Sequence, residues 1–294
     1  CSGSEANELA LRLAFTFSGQ KDVIVLEEGY HGNTIANIDI SPYKHNGPGG
    51  KGPPEWVHEI PMPDIYRGIY RDPKTAGKLY SDKVHLICEK LSKLGRKPAA
   101  FISESILGCG GHVPLPDEFL KKSYRHIRKY GGLCIADEIQ VGFGRTGKHM
   151  WAFDSQGVVP DIVTLGKPMG NGHPLGAVIT TKAIAEKFAN GMEYFNTFGG
   201  SQVSSAVGMA VLDVMEKEKL MQNSFENGRL LKRNLEELKK TFPLIGDVRG
   251  EGYFLGLELV LDQKTKEPAP LHAKYFVERM KSLKILLSTE GPGH

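Results

Sequence analysis

Short apolar runs without alternation, separated by longer amphipathic stretches, constrain this chain more than anything else in it. Residues 23–26, 99–102, 133–136, 161–165 and 176–179 each read as a strand buried on both faces. Continuous apolar character is what a parallel sheet covered by helices requires. Helix candidates lie between the runs. Residues 4–17 carry Leu9, Leu11, Leu13 and Phe17 on a mostly apolar face. Residues 117–129 follow Pro114 and Pro116, with Asp117 as the expected cap. Residues 201–216 set Val203, Val207, Ala210, Val211 and Val214 on one side at helical spacing. The alternation predicts an α/β fold, a mostly parallel sheet flanked by helices.

Two segments break the pattern. Residues 40–75 are rich in Pro, Gly and Tyr and show little periodicity, which predicts a long excursion near a site or an interface. After about residue 218 the character changes. Residues 220–240 read as a charged amphipathic helix, residues 246–260 as a strand pair, residues 263–270 as a polar turn, and another helix starts at Leu271. This predicts a large α/β unit over residues 1–218 and part of a smaller α+β unit over residues 219–294.

With 294 residues and a net charge of +3, the chain has ample length for a core and is not built mainly to hold nucleic acid. No run approaches the ~18 apolar residues of a membrane helix. Four scattered Cys predict a reducing compartment, mitochondrial matrix or cytoplasm, not secretion. The start, Cys1-Ser2-Gly3-Ser4-Glu5, has neither an initiator Met nor the basic and apolar parts of a signal peptide. Gly291-Pro292-Gly293-His294 reads as a loop cut in mid-course, so a fragment of a longer chain is expected. Glycine, at 35 residues, is the departure from average, and it clusters beside the apolar runs. Tight turns at strand ends that approach a ligand produce that pattern.

Two glycine motifs mislead. Gly142-Phe143-Gly144-Arg145-Thr146-Gly147 matches GxGxxG but lies past a strand rather than at its end, and no amphipathic helix begins there. Residues 142–148 nearly spell a phosphate loop, but His149 stands where a hydroxyl should meet Mg²⁺. Cys109-Gly110-Gly111-His112 has metal-ligand spacing without a second pair of ligands, so no metal is expected.

A stronger constellation is dispersed. Ala136-Asp137-Glu138-Ile139-Gln140 puts a carboxylate at the end of one apolar strand, and Leu165-Gly166-Lys167 puts an amine at the end of another. Gly3-Ser4-Glu5 opens a helix whose N–H groups favour a phosphate, and Tyr30-His31-Gly32 offers an aromatic face after a strand. Pyridoxal 5′-phosphate needs all four: a lysine for its aldehyde, a carboxylate at its pyridine nitrogen, a stacking ring and a phosphate cradle. Singly, Asp137 could be a cap or salt-bridge partner, Lys167 a surface lysine, Tyr30 plain packing and Ser4 an N-cap.

With these residues the chain resembles the class III aminotransferases, of the type I fold of pyridoxal-phosphate enzymes. The matching motifs are Ser2-Gly3-Ser4-Glu5-Ala6-Asn7, Tyr30-His31-Gly32, the run from Ala136 to Gly147, Gly166-Lys167, Asn196-Thr197-Phe198-Gly199-Gly200 and Asp247-Val248-Arg249-Gly250. The resemblance implies that Lys167 is the Schiff-base lysine and that Asp137 pairs with the pyridinium nitrogen. It also implies that Gln140 approaches the ring hydroxyl, Tyr30 stacks, Gly3 and Ser4 bind the phosphate, and Glu104 is the family's active-site Glu. Thr197 would reach the phosphate of the neighbouring subunit, implying a homodimer with shared active sites.

The Pro usual after that Glu is Ser105 here, and the acidic residue usual near position 109 is Cys109. Together with Ile40-Ser41-Pro42-Tyr43-Lys44 and residues 167–174 and 191–197, these resemble the phospho-lyase branch, which acts on ethanolamine phosphate or 5-phosphohydroxy-lysine. That resemblance implies β-elimination of phosphate. Such a site needs a cation for the substrate phosphate, and Lys44, Arg67, Arg71 and Arg145 are the candidates, Arg145 at a position shared across the family. The alternatives are an aminotransferase passing the amino group to a keto acid, and an inactive fragment.

Overall fold

The computed structural model describes residues 1–292. Its centre is a six-stranded sheet of β1 (Asp22–Leu26), β2 (Val57–Ile60), β3 (Pro98–Glu104), β6 (Leu133–Asp137), β7 (Ile162–Leu165) and β8 (Ala177–Thr180), in the order β2-β1-β3-β6-β7-β8. Two short strands, β4 (Ile106–Leu107) and β5 (Val113–Pro114), pair antiparallel beyond the end of β3.

The inner strands β1, β3 and β6 are buried along their whole length. Successive side chains point to opposite faces of a strand, so each run feeds two cores. On one face Ile24, Leu26, Phe101 and Cys134 meet α4 (Ala76–Lys93) and α5 (Phe119–Lys129) through Tyr80, Val84, Phe119 and Tyr124. On the other, Val23, Val25, Ile102 and Ile135 meet α1 (Gly3–Ser18) and α6 (Lys182–Phe188) through Leu11, Ala14 and Ile184. Burial of a large apolar side chain contributes roughly 1.5–3 kcal/mol, so this double use of each run is the main source of the sheet's stability.

Several expectations need correction. β8 runs antiparallel to β7 and is not buried on both faces, since Ile179 is 51 % exposed. An edge strand has no second neighbour to cover it. The irregular segment at residues 40–75 contains β2, which pairs parallel with β1, and the short helices α2 (Ile35–Asp39) and α3 (Pro42–His45) lie at its start. In β2 only Val57 and Ile60 are buried, a spacing of three that matches neither a buried nor an alternating strand. The cap of α1 is Ser2, whose Oγ accepts the amide of Glu5, and not Ser4. Asp117 does not cap α5: Glu118 stands there with φ +65° and makes no side-chain cap. On α1 only Leu11 and Leu13 of the expected face are buried; the buried stripe runs instead through Ala6, Asn7, Ala10, Leu11 and Ala14 at spacings of three and four, with Leu13 beside it.

The C-terminal part holds α7 (Gln202–Lys217), α8 (Leu220–Thr241), the hairpin β9 (Ile245–Glu251) and β10 (Phe254–Leu259), and α9 (Pro270–Ser282). The apolar side expected to be covered on α7 is open, with Val203 68 % exposed. The expected cut loop falls partly on residues 293–294, outside the described residues. Among the described residues no helix is long and apolar enough to cross a membrane.

Candidate active site

Ligands of open α/β sheets sit outside the C-terminal ends of the strands, where the winding changes direction. Here β1 has β2 on one side and β3 on the other, and the expected residues gather at that rim. Glu104 ends β3, Asp137 ends β6, and the two are paired in register. Lys167 follows β7 by two residues, and Tyr30 lies just past β1. Gly3, Ser4, Tyr30, Glu104, Asp137, Gln140 and Lys167 all line one cavity of about 1460 Å³.

Asp137 is 4 % exposed and held by three donors. Its Oδ2 accepts from Asn7 Nδ2 and His31 Nδ1, each at 2.8 Å, and its Oδ1 accepts from the Ile139 amide at 3.2 Å. Asn7 also donates to the His31 carbonyl at 2.8 Å. The carboxylate is therefore fixed in direction by α1 and by the turn after β1. His31 Nε2 and Asn7 Oδ1 are buried without a protein partner.

Glu104 accepts the amides of Tyr30 at 3.2 Å and Gly108 at 2.9 Å. Burial pushes its carboxyl up to about 7, against the charge of His31 and with the help of Asp137. Burial also raises the Tyr30 hydroxyl, which accepts from Asn33 Nδ2 at 2.9 Å. Lys167 is exposed to the cavity and donates to Gln140 Oε1 at 3.0 Å. Its φ is +33°, a left-handed backbone that costs a residue with a Cβ roughly 1–2 kcal/mol. Such strain concentrates at functional positions.

The phosphate cradle is built by close approach. Gly3 and Ser4 lie in the first turn of α1, where no carbonyl precedes their amides to accept. A Cβ on Gly3 would come within 2.7 Å of the Ile139 side chain. Gly32 has φ +135°, and a Cβ there would meet Ser4 Oγ at 2.6 Å. Free amides at a helix N-terminus suit an anion, the oriented Asp137 suits a pyridine nitrogen, and the Lys167 amine faces the same cavity. The residues present fit pyridoxal phosphate.

The family model for aminotransferase class-III matches residues 1–292. The chain belongs to the class-III aminotransferase family. The family's cofactor is pyridoxal 5′-phosphate. Among relatives, the "Alanine--glyoxylate aminotransferase 2-like" protein of Drosophila melanogaster is 48 % identical over 99 % of this chain and 60 % of its own length. "Ethanolamine-phosphate phospho-lyase homolog 1" of Caenorhabditis elegans is 42 % identical over 99 % of this chain and 65 % of its own. Among solved structures, a phospholyase from Arthrobacter in complex with phosphoethanolamine superposes with a TM-score of 0.92 at 36 % identity, over 99 % of this chain and 68 % of that one. The chain thus spans about 60 % of the length of the first of these curated relatives.

The cations of this class-III chain separate clearly. Arg67 lines the cavity but is held by Glu258 and the Lys266 carbonyl. Arg71 is exposed and donates to the Gly68 and Arg67 carbonyls, away from the cavity lining. Arg145 lines the cavity near His112, whose imidazole is pushed down to about 4 by burial and by Arg249 and Arg145. Lys44, like Arg71, is outside the cavity lining; its Nζ stands 5.6 Å from the Tyr30 ring centre and 5.7 Å from that of Tyr43, and it has no ion pair among the described residues. Thr197 lies in an exposed segment outside the cavity lining. Asn7 and His31, which hold Asp137, had no role assigned from sequence. Asn7 was detectable as a polar residue on the buried stripe of Ala6, Ala10, Leu11 and Ala14.

Proposed function

We propose that the protein carrying this sequence is a pyridoxal-phosphate-dependent lyase that eliminates phosphate from a phosphorylated amine, giving an aldehyde, ammonia and inorganic phosphate. The observation that carries the reading is one cavity holding the Lys167 amine and the oriented Asp137, in a chain that superposes along 99 % of its length on a phospholyase with phosphoethanolamine. When bound, the cofactor supplies an electron sink for charge that develops on the carbon next to the substrate nitrogen. Asp137 faces the pyridine nitrogen, fixed by Asn7 and His31. Gln140 would meet the ring hydroxyl, Tyr30 would cover the ring, and Gly3 and Ser4 would take the cofactor phosphate. Lys167 Nζ removes the proton from the substrate carbon. Phosphate departs from the neighbouring carbon, and water completes the products.

This reading assigns Lys44, beside the Tyr30 ring, to the substrate phosphate, because Arg67 is already engaged by Glu258; Arg145, which lines the cavity, is the alternative cation. The reading includes two units, residues 1–218 and 219–294. It also includes a homodimer in which Thr197 reaches the partner's cofactor phosphate, which exposed Phe195 and Phe198 support. Location in the matrix or cytoplasm is supported by four free cysteines.

A second reading, amino transfer to a keto acid, is favoured by the name of the fly relative. The test is phosphate release by the full-length holoenzyme from phosphoethanolamine and from phosphohydroxylysine, without a keto acid. Release from either substrate, abolished in Lys167→Ala and with KM raised in Lys44→Met, is expected. No release from either, with amino transfer detected instead, would move the assignment to the transaminase.

A further inference from the structure

We infer that Ser105 and Glu138 are a positioning pair that holds the ends of β3 and β6 at the separation the cofactor site needs. This rests on the reading that Asp137 faces the cofactor. Glu104 and Asp137 form the last registered rung between the two strands. The next residue on each strand is Ser105 and Glu138, 3 % and 0 % exposed. There the ladder is continued by side chains, with Ser105 Oγ donating to Glu138 Oε1. Alternation along a strand turns Glu104 and Asp137 to the cavity and this pair to the opposite side.

Glu138 gathers several elements at once. Its Oε2 accepts the Ala152 amide at 2.8 Å and its Oε1 the Phe153 amide at 3.1 Å, both in the 3-10 turn Ala152–Gln156. Its own amide donates to the Thr164 carbonyl of β7 at 3.0 Å. Among the described residues no Lys, Arg or His forms an ion pair with it. A carboxylate buried without a cation is tolerated only when hydrogen bonds satisfy it. Among the described residues, Ser105, directly after β3, is the one donor to the Glu138 side chain from that side. Without it, the end of β3 loses its side-chain tie to β6, and Glu104, which accepts the Tyr30 amide, is free to shift with the ring it positions.

Ser105→Ala, Ser105→Thr and Glu138→Gln of the full-length protein separate this role from plain stability. Cofactor affinity by fluorescence titration, the absorbance of the bound cofactor, kcat, KM and Tm would be measured for each. Ser105→Ala is expected to weaken cofactor binding by roughly tenfold and to lower kcat with little change in KM, the order of effect seen when an outer-shell partner is lost. It should also change the absorbance of the bound cofactor. Ser105→Thr, which keeps the hydroxyl, should restore all three. Glu138→Gln should reproduce Ser105→Ala, because an amide cannot accept from all three donors. A Ser105→Ala protein with lowered Tm but unchanged affinity, absorbance and kcat would overturn the inference. Should Ser105→Ala not fold, wild-type cofactor affinity in Glu138→Gln would overturn it equally. Failure of the wild-type protein to bind pyridoxal phosphate would instead overturn the site reading.

Discussion

The carboxyls of Glu104 and Glu138 are pushed up to about 7 from the ordinary 4.5, because burial removes the water that would stabilise their charge. The folded chain then binds more protons than the unfolded chain between those values. Stability is expected to fall as pH rises through 5 to 8, the reverse of the usual carboxylate case. Tm recorded across that range checks it, and Glu104→Gln, neutral throughout, should flatten the slope; an unchanged slope would remove Glu104 as a cause. At this scale much of the candidate site is legible in the sequence. Lys167, Asp137, Tyr30, Gly3 and Ser4 stand out because each lies at or just past a strand or helix end, Gln140 and Glu104 only through the family resemblance, and all seven line one cavity. Asn7, His31 and the Ser105–Glu138 pair were not given roles, since their importance lies in contacts between elements far apart in the chain.

Each inner strand stabilises two layers, so its residues tolerate little loss of volume. Phe101 is fully buried and meets Phe119 and Tyr124 edge-on, both at 6.3 Å. Phe101→Ala should cost about 3–5 kcal/mol by urea denaturation. A cost under 1 kcal/mol would show that this layer repacks freely. The four inner apolar runs were legible because burial on both faces erases alternation. Direction was not: a run of apolar residues carries no sign of whether it pairs parallel or antiparallel, and β8 turned out to run against its neighbour. β2 was lost for a different reason, having only its end residues buried. Helix ends were the weakest reading, because the cap is set by where the backbone turns and several polar residues compete for it.

Across the described residues, exposed large apolar side chains gather before and along α7, and again along α9 and the segment after it. Phe195 is 75 % exposed, Phe198 67 % and Met209 59 %. An exposed apolar patch of this kind marks an interaction surface, consistent with the proposed homodimer. Light scattering of the full-length protein should report a dimer, and Val203→Asp should shift it toward monomer; a wild-type monomer would remove the shared-site part of the proposal. The reversal of β8 also bears on the order in which the sheet is expected to form. β7 and β8 are joined by a short connection, so closing that pair loses little chain entropy. Pairing β1, β3 and β6 requires crossovers of many more residues, which form slowly. During folding, the segment bearing Lys167 can find its backbone partners while the strands that present Asp137 and Glu104 are still apart. The ability to retain a cofactor is then expected to appear only after β1, β3 and β6 have paired.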